Sequence, residues 1–106
     1  MEKYIQIYTT IDKKEEAEHI SEKLVSMRLA ACVQIIGPIE STYWWNGAVE
    51  KSEEWLCVMK TEDSFYKKIE KVLSELHSYE VPEIISLPII HGSEKYLSWL
   101  RSELHT

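Results

Sequence analysis

Asn46-Gly47 stands at the centre of an extended stretch reaching from Ala31 to Thr61, and this pair limits the fold more than any other feature of the chain. Asn and Gly both accept the positive φ of a type I′ turn, so the pair predicts a two-residue β-hairpin. Such a turn pairs residues whose numbers sum to 93, placing Trp44 opposite Val49, Tyr43 opposite Glu50 and Thr42 opposite Lys51. Glu40 then faces Glu53, an unfavourable pairing of like charges unless a bulge or a cation intervenes. Each arm has ~14 residues and spans about 45 Å, whereas a compact chain of this size is roughly 34 Å across. The arms therefore overhang their own domain, carrying Tyr43, Trp44, Trp45 and Trp55 with them. Aromatic side chains on an unsupported ribbon are expensive in water, so they are expected to be buried against sister subunits. The alternative is that Pro38, which marks a break or bulge in the first arm, folds the ribbon back over its own sheet.

The flanking segments complete a six-element pattern. Residues 3–10 alternate Ile5 and Ile7 with Gln6 and read as a strand. Thr10 or Asp12 is a candidate cap for a first helix ending near Arg28, with Glu15 and Glu16 in its first turn and Ala17, Ile20, Leu24 and Met27 on its apolar face. Residues 62–77 form a second helix with Phe65, Ile69, Val72, Leu73 and Leu76 inward. Residues 84–90 are a near-continuous apolar run, expected to be a strand covered on one face and partly on the other. Ser93 caps a short last helix with Tyr96, Leu97 and Leu100. The order β-α-β-β-α-β, with right-handed crossovers, gives an α+β ferredoxin-like domain over residues 1–106.

Composition narrows the function classes. The chain has 106 residues and a net charge of −6, which argues against a general affinity for nucleic acid. Tyr4 and Tyr8 could stack bases on a central strand, but their surroundings are not basic. No run approaches a membrane span, and the N-terminus alternates polar with apolar residues instead of forming a signal core, so the cytosol is the expected compartment. Cys32 and Cys57, the only two cysteines, fit reduced, partly buried thiols rather than a disulfide framework. Hydrolase and nucleotide-binding motifs are missing, and the stretch Thr9-Thr10-Ile11-Asp12-Lys13 is unlike the glycine- and arginine-containing anion loop of acylphosphatases.

Successive segments resemble one family. Leu29-Ala30-Ala31-Cys32-Val33, Ser41-Thr42-Tyr43-Trp44-Trp45-Asn46-Gly47, Glu54 through Lys60-Thr61, and His77-Ser78-Tyr79-Glu80-Val81-Pro82-Glu83-Ile84 look like the signature segments of the CutA divalent-cation-tolerance proteins. Tyr96-Leu97-Ser98-Trp99-Leu100 resembles their closing segment. The resemblance implies a homotrimer of ferredoxin-like subunits akin to the PII signalling proteins. It further implies a link to tolerance of divalent cations, copper above all, no established catalysis and no required cofactor. An unidentified protein partner is compatible with it.

Copper in that family has been placed on a cysteine near the end of the first strand and on two adjacent histidines. Those positions are Tyr8, Leu76 and His77 here, so only His77 carries over as a metal candidate, and a lone imidazole is a poor site. His19 with Glu15 and Glu22 reads as a solvated helix face; His91 and His105 have no ligand at a recognisable spacing. Lys60, Tyr79 and Glu83 are expected to meet at one end of the sheet. There they would either line an inter-subunit cleft for a small anion or polar metabolite, or form an interface salt bridge.

Overall fold

The first strand, Tyr4–Ile11, alternates apolar with polar residues and lies inside the sheet. The computed structural model describes residues 3–106, so the part of the N-terminal reading that falls on Met1 and Glu2 lies outside the described residues. In order, the elements are β1 (Tyr4–Ile11), α1 (Lys14–Ser26), β2 (Cys32–Trp45), β3 (Ala48–Glu62), a 3₁₀ turn (Asp63–Phe65), α2 (Tyr66–Leu76), β4 (Ile85–Pro88) and α3 (Glu94–Leu104). They form a mixed α+β fold with one four-stranded sheet in the order β2-β3-β1-β4. Every neighbouring pair of strands is antiparallel.

Alternation along β1 decides which face meets the helices. Ile5, Ile7, Thr9 and Ile11 are buried, and their partners Met59 and Cys57 on β3 are fully enclosed. Against this face pack Ala17, Ile20 and Leu24 of α1 and Ile69 and Leu73 of α2. Each such aliphatic side chain contributes about 1.5–3 kcal/mol by leaving water. α1 begins without a side-chain cap: β1 runs on to Ile11, so Thr10 is in the sheet and Lys13 occupies the cap position. It ends where Arg28 turns left-handed (φ 57°), and the amides of Arg28 and Leu29 donate to the carbonyls of Val25 and Leu24. The Arg28 guanidinium reaches across to the carbonyl of Glu103 at 2.6 Å, tying this corner to α3.

The hairpin follows the turn chemistry. Asn46 and Gly47 have φ of 49° and 78°, and Trp45–Ala48 through Ile39–Glu54 pair in the expected register. Glu40 and Glu53 are directly opposite, both exposed, while the register shift lies further back, between Ile36 and Ile39. That shift surrounds the Gly37–Pro38 peptide, which is cis. Gly37 is required there because a Cβ would stand 2.4 Å from the Trp55 ring. The ribbon stays extended, within a molecule 44 Å long and only 25 Å and 23 Å in its other dimensions. At its tip Trp44 is 74% exposed. Trp55 differs from expectation: its ring packs against the subunit's own core beside Val33 and Ile35, because its position shares the inward face with Cys57 and Met59.

The sheet's far edge also differs from expectation. β4 is only four residues long and exposed throughout, since it pairs with β1 alone and breaks at Pro88. On the face away from the core, the register places Ile36, Tyr8, Ile85 and Leu87 on one open surface, with Ile36 52% exposed. α3 covers one end of that surface, where the fully buried Glu62 carboxylate accepts from Arg101 Nη1 and meets His105 Nε2, both at 2.6 Å.

Candidate functional site

The segment joining α2 to β4 runs past the end of β1 and faces the hairpin, and the space between them is a cavity of about 650 Å³. One wall carries Thr10, Tyr79, Glu80 and Glu83. The other is the ribbon, chiefly Tyr43, Trp44 and Trp45, with Glu54 at its base. Glu54 is 4% exposed, and the Tyr79 hydroxyl donates to its Oε2 at 2.7 Å. Burial, then the hydrogen bond to Glu54 and the negative charges of Glu54 and Asp12, push ionisation of that phenol well above the ordinary tyrosine range. Tyr79 therefore remains a donor at any physiological pH. On the opposite wall the Tyr43 hydroxyl and Ser52 Oγ are 3.1 Å apart, which fixes the phenol along the ribbon.

His77 holds Tyr79 in place. The C-cap of α2 turns its imidazole inward, 8% exposed, with the ring edge against Tyr79 at 4.7 Å between centroids. Its Nδ1 accepts from the Tyr79 amide at 3.1 Å and therefore keeps its lone pair there; Nε2 carries the proton and donates to the Thr10 carbonyl at 2.9 Å. Both nitrogens are thus engaged, so the imidazole is a brace between β1 and the α2–β4 segment.

Compared with known proteins, the chain matches the family model described as CutA1 divalent ion tolerance protein over residues 5–103. The chain belongs to this family. It is 42% identical to the divalent-cation tolerance protein CutA of Thermus thermophilus over 95 residues, 90% of this chain and 92% of that one. It is 41% identical to the chloroplastic protein CutA 1 of Oryza sativa over 92% of its own length, but spans only 55% of the rice protein. The crystal structure of CutA1 from Oryza sativa superposes with a TM-score of 0.93 at 40% identity, covering 95% of this chain and 93% of that one. The periplasmic divalent cation tolerance protein CutA from Archaeoglobus fulgidus gives 0.92 at 35% identity, covering 95% and 98%.

Within the CutA1 family frame, the three positions associated with copper do not make a centre here. Tyr8 is locked between Val58 and Ile85 in the sheet, Leu76 packs on the core, and His77 has no free lone pair. Among the described residues no three His, Cys, Asp or Glu side chains converge as metal ligands. The donor set does not fit a copper ion.

Lys60 is also placed differently from the reading of the sequence. β3 and β4 are each antiparallel to β1 and hence parallel to one another, so the end of β3 and the start of β4 lie at opposite ends of the sheet. Tyr79 and Glu83 share the cavity, whereas Lys60 lies six residues beyond Glu54, about 20 Å along the strand. There its ammonium donates to Gln34 Oε1 at 2.7 Å and sits 5.9 Å from the Tyr96 ring centre. Glu54, which completes the cavity, is not among the site residues expected from the sequence, where it only opens one of the signature segments.

Proposed function

We propose that this protein serves divalent-cation tolerance as a non-enzymatic homotrimer of ferredoxin-like subunits. The observation that carries the reading is the ribbon: an extended arm ending in an exposed Trp44, continuous with an open apolar sheet face at Ile36, Ile85 and Leu87. Contiguous apolar surface of this kind favours association, and the unpaired edge of β2 adds a row of backbone donors and acceptors to it. Tyr43, Trp44 and Trp45 are the residues assigned to the subunit interface. Naming of the Thermus relative for tolerance, not for a reaction, supports a non-catalytic role. Copper enters this reading as the ion tolerated, not as one held tightly at His77. Two unbridged cysteines suit the cytosol, the compartment proposed for this chain.

Light scattering at micromolar concentration tests the assembly. The expected mass is three times the 12.5 kDa chain, and a 12.5 kDa species would sink the reading. Calorimetry with Cu²⁺ on the same sample is expected to show no tight site that His77→Gln removes.

A second reading is favoured by the cavity itself. Its volume of about 650 Å³ falls within the ~300–1,000 Å³ of small-molecule sites. A PII-like role, with a ligand held in a cleft between subunits, would use Tyr79 and Glu83 from this chain; Lys60 could join them only from a sister subunit.

A further inference from the structure

Among the described residues, the cavity between the ribbon and the α2–β4 segment is lined by rings, carboxylates, hydroxyls and Val81, with no cationic side chain on its walls. Glu54 carries the consequence. It is 4% exposed, its side chain has the Tyr79 hydroxyl as its partner among the described residues, and no ion pair reaches it. A carboxylate so deeply removed from water normally has a cation or several donors around it, because desolvation costs several kcal/mol that one phenol does not return. Glu80 and Glu83 line the same cavity and deepen the negative potential, while Tyr43 brings an aromatic ring to the ribbon face that carries Glu54. Anions are therefore repelled.

We infer that this cavity binds a small organic cation, its ammonium or guanidinium group paired with Glu54 and its stem lying on Tyr43, which shares the ribbon face of Glu54. Positive groups are attracted both by the carboxylate and by the ring quadrupole, and guanidinium planes stack especially well. A divalent metal is disfavoured because the carboxylates do not converge as a ligand set among the described residues. The inference deepens the second reading above, in which the cleft between subunits holds a ligand, and it reverses the ligand's sign from the anion considered for the sequence.

Agmatine, with a guanidinium at one end and an ammonium at the other, is the probe. Titration followed by calorimetry and tryptophan fluorescence is expected to saturate, with affinity falling at least about tenfold in Glu54→Gln and in Tyr43→Ala. Glutarate, a somewhat shorter dianion, is expected not to bind. Lack of saturation at millimolar agmatine, unchanged affinity in Glu54→Gln, or binding of glutarate instead would each overturn the inference. Melting of the ligand-free proteins supplies an independent reading: Glu54→Gln should melt higher than the parent, because it relieves an unpaired buried charge. A lower melting temperature would mean that a cation of a sister subunit already pairs with Glu54, and the inference fails. Scattering mass on the same samples separates the two ideas. A trimer that ignores agmatine sinks the ligand alone; a monomer that binds it through Glu54 sinks the assembly alone.

Discussion

Cys57 illustrates how a single position is set by its surroundings. It lies wholly enclosed between β1 and the helices, and burial, partly offset by a hydrogen bond with Ser21, raises its thiol from the ordinary 9.0 to about 11. The unfolded chain ionises this group above pH 9, while the folded chain keeps the proton until about pH 11. Between those values the native state binds more protons, so stability falls as pH rises, and it is insensitive to this group below pH 9. Unfolding free energies from urea titrations at pH 8 and pH 10.5 should therefore decline more in the parent than in Cys57→Ala, by at most about 2 kcal/mol. An equal decline in both proteins would show that the thiol carries none of the slope. Legibility at this scale was uneven. Asn46 and Gly47 announced their own dihedrals, because the turn is local chemistry. Neither the pairing of His77 with Thr10 and Tyr79 nor the desolvation of Glu54 could be read, because each depends on segments tens of residues apart meeting in space.

Among the elements, α3 shows best how a short amphipathic helix is held. Ser93 Oγ accepts the Tyr96 amide at 3.2 Å, as the sequence suggested, and Leu100 and Leu104 are buried. The specific lock is polar: Glu62, at the end of β3, is fully enclosed between Arg101 and His105, and the His105 ring also meets Phe65 edge-on at 5.7 Å. His105, unassigned from the sequence, thus has a structural partner. Arg101→Ala leaves a buried carboxylate with an imidazole for company and should destabilise by about 2 kcal/mol, discounted because the guanidinium is half in solvent. Denaturant unfolding checks the loss, and Glu62→Gln combined with Arg101→Ala should recover part of it. If the double variant is no better than the single, the charge left behind is not the cause. The helices and the long hairpin were legible because their periodicity and turn residues are continuous. β4 was overestimated, since an apolar run says nothing about having a neighbour on only one side.

At the scale of the whole molecule, the direction of β4 separates two clusters that the sequence put together. Cys32, Gln34, Lys60 and Tyr96 gather where β3 ends, while Glu54, Tyr79 and Glu83 gather where β4 begins. Strand existence follows from local pattern, but parallel or antiparallel relation through an intervening strand is a property of the assembled sheet. The central position of β1 has one more outcome. Its residues Ile5, Ile7 and Tyr8 are flanked on both sides, by Thr61, Met59 and Val58 and by Pro88, Ser86 and Ile85. In heavy water the main-chain protons of this inner strand should be the last to be replaced, surrendering only when the entire subunit opens.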